Sequence, residues 1–239
     1  MRERLLLMGP PGSGKTHHLV RTSEYLKDKG ITTHTIDMED KIEAFYGGTV
    51  PKYLNLQVAI FWEELKTAME KVESIAKPGD WVLVDRIDLS WPAVQRWFTQ
   101  QKYKEELAGR MLETSKKMKF SSEFVPRFDE GSWQVINEAY ETMMLKLLYK
   151  YRCNVLLTAG IRGVDPNSPQ DIFGHLGVVP RGQKELGHQP NSVFLLTQRR
   201  AESITWEITT AKDMPNRDWF DKEPIFDFSL QYGARYWRL

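Results

Sequence analysis

Short, wholly apolar runs alternate with longer stretches of helical period along this chain, and that alternation predicts a layered α/β molecule. Leu5-Leu6-Leu7-Met8 reads as a strand buried on both faces. Residues 17–30 follow with helical character, Lys27 and Lys29 preceding Gly30, a residue suited to a helix C-terminus. The β-branched residues 31–37 read as a second strand. Residues 55–76 are helical in pattern and stop at Lys77-Pro78-Gly79; their aromatic residues, including Phe61 and Trp62, read as packing. Trp81-Val82-Leu83-Val84-Asp85 is a further buried strand, expected in mid-sheet beside the first. Residues 90–110 predict a helix capped by Ser90 with Pro92 in its first turn. Residues 132–151 predict another, whose stripe of Trp133, Ile136, Tyr140, Met143, Met144, Leu147 and Leu148 is core packing. Asn154 to Thr158 form one more buried strand.

Beyond it the pattern changes. Residues 160–189 are loop-like and too long for an idle connection; they carry Arg162, His175, Arg181, Lys184 and His188. The two histidines have no close third ligand, which argues against a metal there. Residues 192–197 and 204–209 predict a β-hairpin across 198–202, with Lys212 just beyond its second strand. The aromatic tail, 215–239, reads as a docked extension. Residues 111–131 are open to two readings. Lys116, Lys117, Lys119 and Arg127 among Phe120, Phe124 and Phe128 suit either a basic, base-stacking track or a loop with its own small hydrophobic cluster. No repeat or linker interrupts the chain, so one domain spanning 1–239 is expected, with a core of about 1–212 and an extension of about 213–239.

Composition narrows this little. The 239 residues carry 33 basic and 32 acidic side chains, a net charge of +1, so any nucleic-acid surface must be a local patch. Hydrophobic content of 41% and charged content of 27% are those of an ordinary globular protein. The single cysteine, Cys153, allows no intrachain disulfide and no cysteine metal site, which suits a reducing compartment. No apolar run approaches a membrane span, so no membrane partner and a cytoplasmic location are expected.

Candidate chemistry lies between the first strand and the first helix. Gly9-Pro10-Pro11-Gly12-Ser13-Gly14-Lys15-Thr16 fits G-x-x-x-x-G-K-[ST] without mismatch, in the strand–loop–helix context that motif requires. This is a P-loop. Gly9, Gly12 and Gly14 let backbone N–H groups converge on phosphate oxygens at a helix N-terminus. The expected nucleotide contacts are Gly9, Pro10, Pro11, Gly12, Ser13, Gly14, Lys15, Thr16 and His17. Lys15 is expected on the β- and γ-phosphates and Thr16 on Mg²⁺, with Asp85, an acid ending a buried strand, meeting the same ion through its water shell. Asp37-Met38-Glu39-Asp40 closes the second strand in acid, which suits a residue that orients a water or holds a metal through water, or else a solvated turn. Thr158, likewise, suits a γ-phosphate sensor or a satisfied strand-end hydroxyl.

The series GPPGSGKT, IDMED, WVLVD, NVLLTAGIR and PRGQKELGHQPNSVFLLTQRR before a hairpin resembles the ATPase core of RecA-type proteins. The likeness covers most of 1–212 and is similar in extent to the small phage-encoded RecA-like proteins of single-strand annealing and recombination. It implies a P-loop NTPase fold with a mostly parallel central sheet, helices on both faces and a C-terminal β-hairpin. It implies ATP and Mg²⁺ as ligands and Glu39 as the catalytic glutamate that polarises water. Residues of about 160–189 match a DNA-binding loop, which implies single-stranded DNA as a partner. Lys212 matches the first position of a K-x-R finger that reaches a neighbouring subunit's γ-phosphate, which implies a homo-oligomer with nucleotide at its interface. The third position is Met214 instead of arginine, and Arg217 is a candidate substitute. A duplex-DNA packaging motor, a nucleotide kinase and a nucleotide-gated binding module with little turnover remain as alternatives.

Overall fold

In a computed structural model, residues 2–117, 128–164, 173–200, 204–216 and 219–237 are described. Eight strands form the central sheet in the order β10-β9-β8-β1-β5-β4-β2-β3. These are β1 (Arg4–Met8), β2 (Thr33–Asp37), β3 (Leu56–Val58), β4 (Trp81–Asp85), β5 (Asn154–Ala159), β8 (Ser192–Arg200), β9 (Ile204–Asp213) and β10 (Glu223–Ile225). All neighbours from β8 to β3 pair in parallel, whereas β9 and β10 are antiparallel. The remaining two, β6 (Ile161–Gly163) and β7 (Val178–Pro180), form a separate antiparallel ribbon.

Successive residues of the central strands feed opposite layers, as a period of two requires. Leu6, Met8, Val82, Val84, Val155 and Leu157 join one core cluster; Leu5, Leu7, Trp81, Leu83 and Leu156 join the other. The first layer is covered by α3 (Trp62–Ile75), α4 (Ser90–Tyr103) and α6 (Glu130–Leu145). The second is covered by α1 (Lys15–Asp28), by Ile42 of the short α2 (Ile42–Phe45) and by the tail, whose Phe220, Phe228, Tyr232 and Trp237 are buried against Trp81 and Phe194.

Several boundaries differ from the sequence expectation. β4 does not lie beside β1: β5, also buried on both faces, stands between them. The start of the expected helix over 55–76 is instead the edge strand β3, which pairs with β2 after Asn55 takes a left-handed conformation and donates to the Thr33 carbonyl. Phe61, expected to pack, is 62% exposed. The expected helix over 90–110 breaks at left-handed Lys104 and restarts as α5 (Leu107–Lys117). Ser90 does not cap α4; its hydroxyl donates to the Ile87 carbonyl of a preceding turn. α6 begins at Glu130 because Asp129 accepts from the Ser132 N–H at 2.7 Å, and a π-helical turn, Lys146–Lys150, follows it. The hairpin is longer than expected, so Lys212 lies within β9 and not beyond it. Residues 160–189 are not all loop, since β6 and β7 close their stem. Of residues 111–131, those numbered 118–127 lie outside the described residues, and with them Lys119, Phe120, Phe124 and Arg127.

Candidate functional site

β1 delivers the chain into a loop that only glycine can build at several points. Gly9 donates its N–H to the Ala159 carbonyl, and a Cβ there would stand 2.3 Å from the Leu196 oxygen. Gly12 and Gly14 have φ of 79° and 85°, the left-handed region that costs other residues about 1–2 kcal/mol. The helix then starts at once. Its first N–H groups, those of Lys15, Thr16 and His17, have no carbonyl one turn back within α1 and are available to an anion at the positive end of the helix dipole. Lys15 is buried, with Nζ donating to the carbonyls of Gly9 at 2.9 Å and Pro10 at 2.7 Å. Burial, helped by the nearby Arg86 charge, lowers its pKa to about 8.

Asp85 and Thr16 meet although β5 separates their strands. The Thr16 hydroxyl donates to Asp85 Oδ2 at 2.8 Å, and Thr158, from β5, donates to Oδ1. Burial raises the Asp85 pKa against the pull of these two hydrogen bonds. A hydroxyl and a carboxylate side by side, both hard oxygen donors, fit a Mg²⁺ ion that keeps most of its water. Thr158 also accepts from the Arg86 N–H, so one donated and one accepted hydrogen bond hold its hydroxyl at the strand end.

Asp37 and Glu39 divide the work of the acidic segment. Asp37 is fully buried at the end of β2, and its two oxygens accept from four consecutive N–H groups, those of Glu39, Asp40, Lys41 and Ile42, at 2.8–3.0 Å. It is therefore an anchor for the turn that carries Glu39. Glu39 Oε1 accepts from Arg86 Nη1 and from Lys41 Nζ, each at 2.9 Å. Partial burial opposes ionisation, yet the hydrogen bonds from Lys41 and Arg86 prevail and hold its carboxyl below the usual range.

A cleft of about 410 Å³ joins these parts, lined by Pro11, Gly12, Gly14, Lys15, Thr16, His17, Glu39, Lys41, Arg86 and Trp206. Trp206 arrives from β9: its indole N–H donates to the Gly12 carbonyl at 3.2 Å, and its ring lies 4.7 Å from that of His17. A Cβ on Gly14 would approach the indole to 3.0 Å. Two wider hollows, near 630 and 650 Å³, share Trp62 and Trp97 on the opposite layer; they are mostly apolar and contain none of the motif residues.

Lys212 is not brought to this cleft. It pairs with Val193 at the start of β8, which pairs with Leu6 in the middle of β1, and its Nζ donates to the His188 carbonyl at 2.9 Å. Met214 is 68% exposed, and Arg217 lies outside the described residues. In the stem of residues 160–189, Arg162, His175, Arg181, Lys184 and His188 are exposed. No group of three metal-ligating side chains occurs among the described residues, and none of their helices is long and apolar enough to cross a membrane. Sequence reading overlooked Lys41, Arg86, Asp88 and Trp206. Arg86 directly follows the strand-ending acid, which was a signal; Trp206, on a distant hairpin, gave none.

No protein-family model matches the chain, and no curated protein matches it. Solved structures do. A KaiC-like protein of the hyperthermophilic archaeon Pyrococcus horikoshii aligns at 14% identity and a TM-score of 0.48, over 92% of this chain and 84% of its own. The RadB recombinase aligns at 14% identity and a TM-score of 0.50, over 92% of this chain and 85% of its own. At that identity the likeness to RadB is one of architecture, and with the eight-stranded, mostly parallel sheet it gives the conclusion that this chain has a RecA-like P-loop α/β fold.

Proposed function

We propose that this protein is a Mg²⁺-dependent ATPase of the RecA type that assembles side by side and acts on single-stranded DNA, in recombination or annealing of the phage type. The observation that carries the reading is the convergence of Lys15, Thr16, Glu39 and Arg86 on one glycine-built cleft, with Asp85 bonded beneath Thr16. ATP is the substrate expected there. Lys15 would exchange two backbone carbonyls for β- and γ-phosphate oxygens, and the N–H groups at the start of α1 would hold the rest. Thr16 and Asp85 would hold Mg²⁺, which supplies charge neutralisation to the transferred phosphoryl group. Glu39 is the group proposed to polarise the attacking water, kept ionised by its two cations.

Two further roles concern other molecules. Lys212 does not line its own P-loop cleft, so a finger role would be played against a second copy's phosphate, with stabilisation of transition-state charge in trans. The exposed Arg162, Arg181 and Lys184 supply local cations for a phosphate backbone. One domain with a docked C-terminal extension, in the cytoplasm of a cell or phage host, is the matching context.

A second reading, a nucleotide-gated binding module with slow turnover, is favoured by Met214 at the finger's third position. Steady-state ATP hydrolysis with and without single-stranded DNA, at two salt concentrations, separates the two. Stimulation that fades with salt supports the ATPase, because phosphate contacts release counterions. Turnover indifferent to DNA supports the module, and stronger stimulation by duplex supports a packaging motor. A single-chain mass in Mg²⁺ and ATP by size exclusion removes the trans role of Lys212.

A further inference from the structure

Arg86 lines the phosphate cleft, yet its guanidinium is divided between two carboxylates of different kinds. One is Glu39, whose side chain is 24% exposed on the cleft wall. The other is Asp88, with a fully buried side chain, gripped in a fork by Nε to Oδ1 at 2.9 Å and Nη2 to Oδ2 at 3.0 Å. A buried carboxylate stripped of its only forked partner is left as an uncompensated charge, whereas a partly hydrated one falls back on water. An anion entering the cleft therefore competes with Glu39 for Arg86, and not with Asp88.

Asp88 is also the floor beneath the stem of residues 160–189. Its Cα stands 3.2 Å from where a Cβ on Gly182 would be, and its Oδ2 stands 3.2 Å from the same point on Gly160. Arg86 Nη2 lies 3.5 Å from that Gly160 point. The two sides of the stem are pinned together directly there, since the Arg181 N–H donates to the Gly160 carbonyl at 2.8 Å. With glycine at both contacts, no side chain cushions a movement of the ion pair. The backbone below is fixed: Arg86 is left-handed, with φ of 61°, and its N–H donates to Thr158, which bonds Asp85.

We propose that Arg86 is a positioning residue that transmits filling of the phosphate cleft to the stem of residues 160–189, exchanging Glu39 for the terminal phosphate while keeping Asp88. The proposal rests on the nucleotide reading above. Its thermodynamic basis is that the two partners respond differently to the same anion, without which a ligand shifts nothing. The exchange frees Glu39 to engage a water and shifts the pair on which Gly160 and Gly182 rest.

Hydrogen exchange read by mass spectrometry on the full chain, with Mg²⁺ and a slowly hydrolysed ATP analogue as the probe, tests this. In wild type, peptides covering 9–17 and peptides covering 159–164 and 177–189 are expected to change exchange rate severalfold together. In Arg86→Ala, with the analogue raised until the P-loop peptides respond, the stem response is expected to disappear. Because that variant strands the Asp88 charge, Arg86→Ala/Asp88→Asn and Arg86→Lys are measured beside it. The double variant should also lose the stem response, and the lysine, which keeps the charge without the fork, should at least halve it. A stem response that survives undiminished in all three overturns the proposal, as does a wild-type stem that stays silent while the P-loop responds. A wild-type P-loop that shows no response overturns the nucleotide reading and this inference with it.

Discussion

The P-loop cleft and the cations outside it are held in opposite ways. At the C-terminal ends of β1, β2 and β4, each ionic group has protein partners: Lys15 has carbonyls, Asp85 has two hydroxyls, Asp37 has four N–H groups, and Glu39 has two cations. Outside the cleft, toward the N-terminal end of β8, Lys212 has one backbone carbonyl, while Arg162, Arg181 and Lys184 of the stem that leaves β5 beside the cleft face water. Preorganised charge is what a polyphosphate requires of one chain, since dipoles fixed in advance need no reorganisation during the reaction. Cations that face water can pair with another molecule, as the proposed DNA strand or second copy would require.

The largest test of that contrast is Lys212→Ala. If Lys212 acts only across a subunit boundary, turnover should fall by about 10³-fold, the lower range for a finger residue, while ATP affinity stays within about twofold. Equal turnover in the variant would leave Lys212 with no chemical role. Lys15→Ala addresses the cleft and should weaken ATP binding by about 100-fold in a fluorescent-nucleotide titration, because it deletes charge-assisted hydrogen bonds of about 1.5–3 kcal/mol each. Asp37→Asn should lower unfolding free energy by about 2–3 kcal/mol in urea, since an amide nitrogen cannot accept from the two N–H groups that one carboxylate oxygen now serves. Unchanged stability there would remove Asp37 as the anchor of Glu39.

The smallest effect is a pH dependence. Lys15 has a pKa lowered to about 8, and a bound polyphosphate favours its charged form. ATP affinity should therefore be flat below about pH 7 and fall as pH rises past 8, by at most about tenfold per unit. In Lys15→Ala that slope should vanish. A slope of the same size in the variant would assign the titration to another group.

Much of the fold was legible because it is written in local pattern. Leu5 to Met8 and Trp81 to Val84 are apolar on both faces, and Gly30 ends its helix with φ of 73° as a C-terminal glycine should. What escaped was set by neighbours. The strand Leu56–Val58 exists because β2 offers an open edge, and β5 occupies the place between β1 and β4 for reasons that no single segment contains. The site divides likewise. GPPGSGKT prescribes its own geometry, glycine by glycine. Asp37 read only as the start of an acidic strand end until its four N–H donors showed it to be scaffold, Arg86 carried a signal in directly following Asp85, and Trp206 joined the cleft through a tertiary contact alone.

The most direct test of the account is single-turnover hydrolysis of Mg²⁺-ATP by wild type and Glu39→Gln, with the ATP dissociation constant of each measured alongside. The account predicts matched affinity and a rate lowered by about 10²–10⁴-fold in the variant, the range for loss of a general base. A variant that hydrolyses as fast as wild type would contradict the assignment of Glu39, and a wild type that binds no ATP would contradict the reading of the cleft itself.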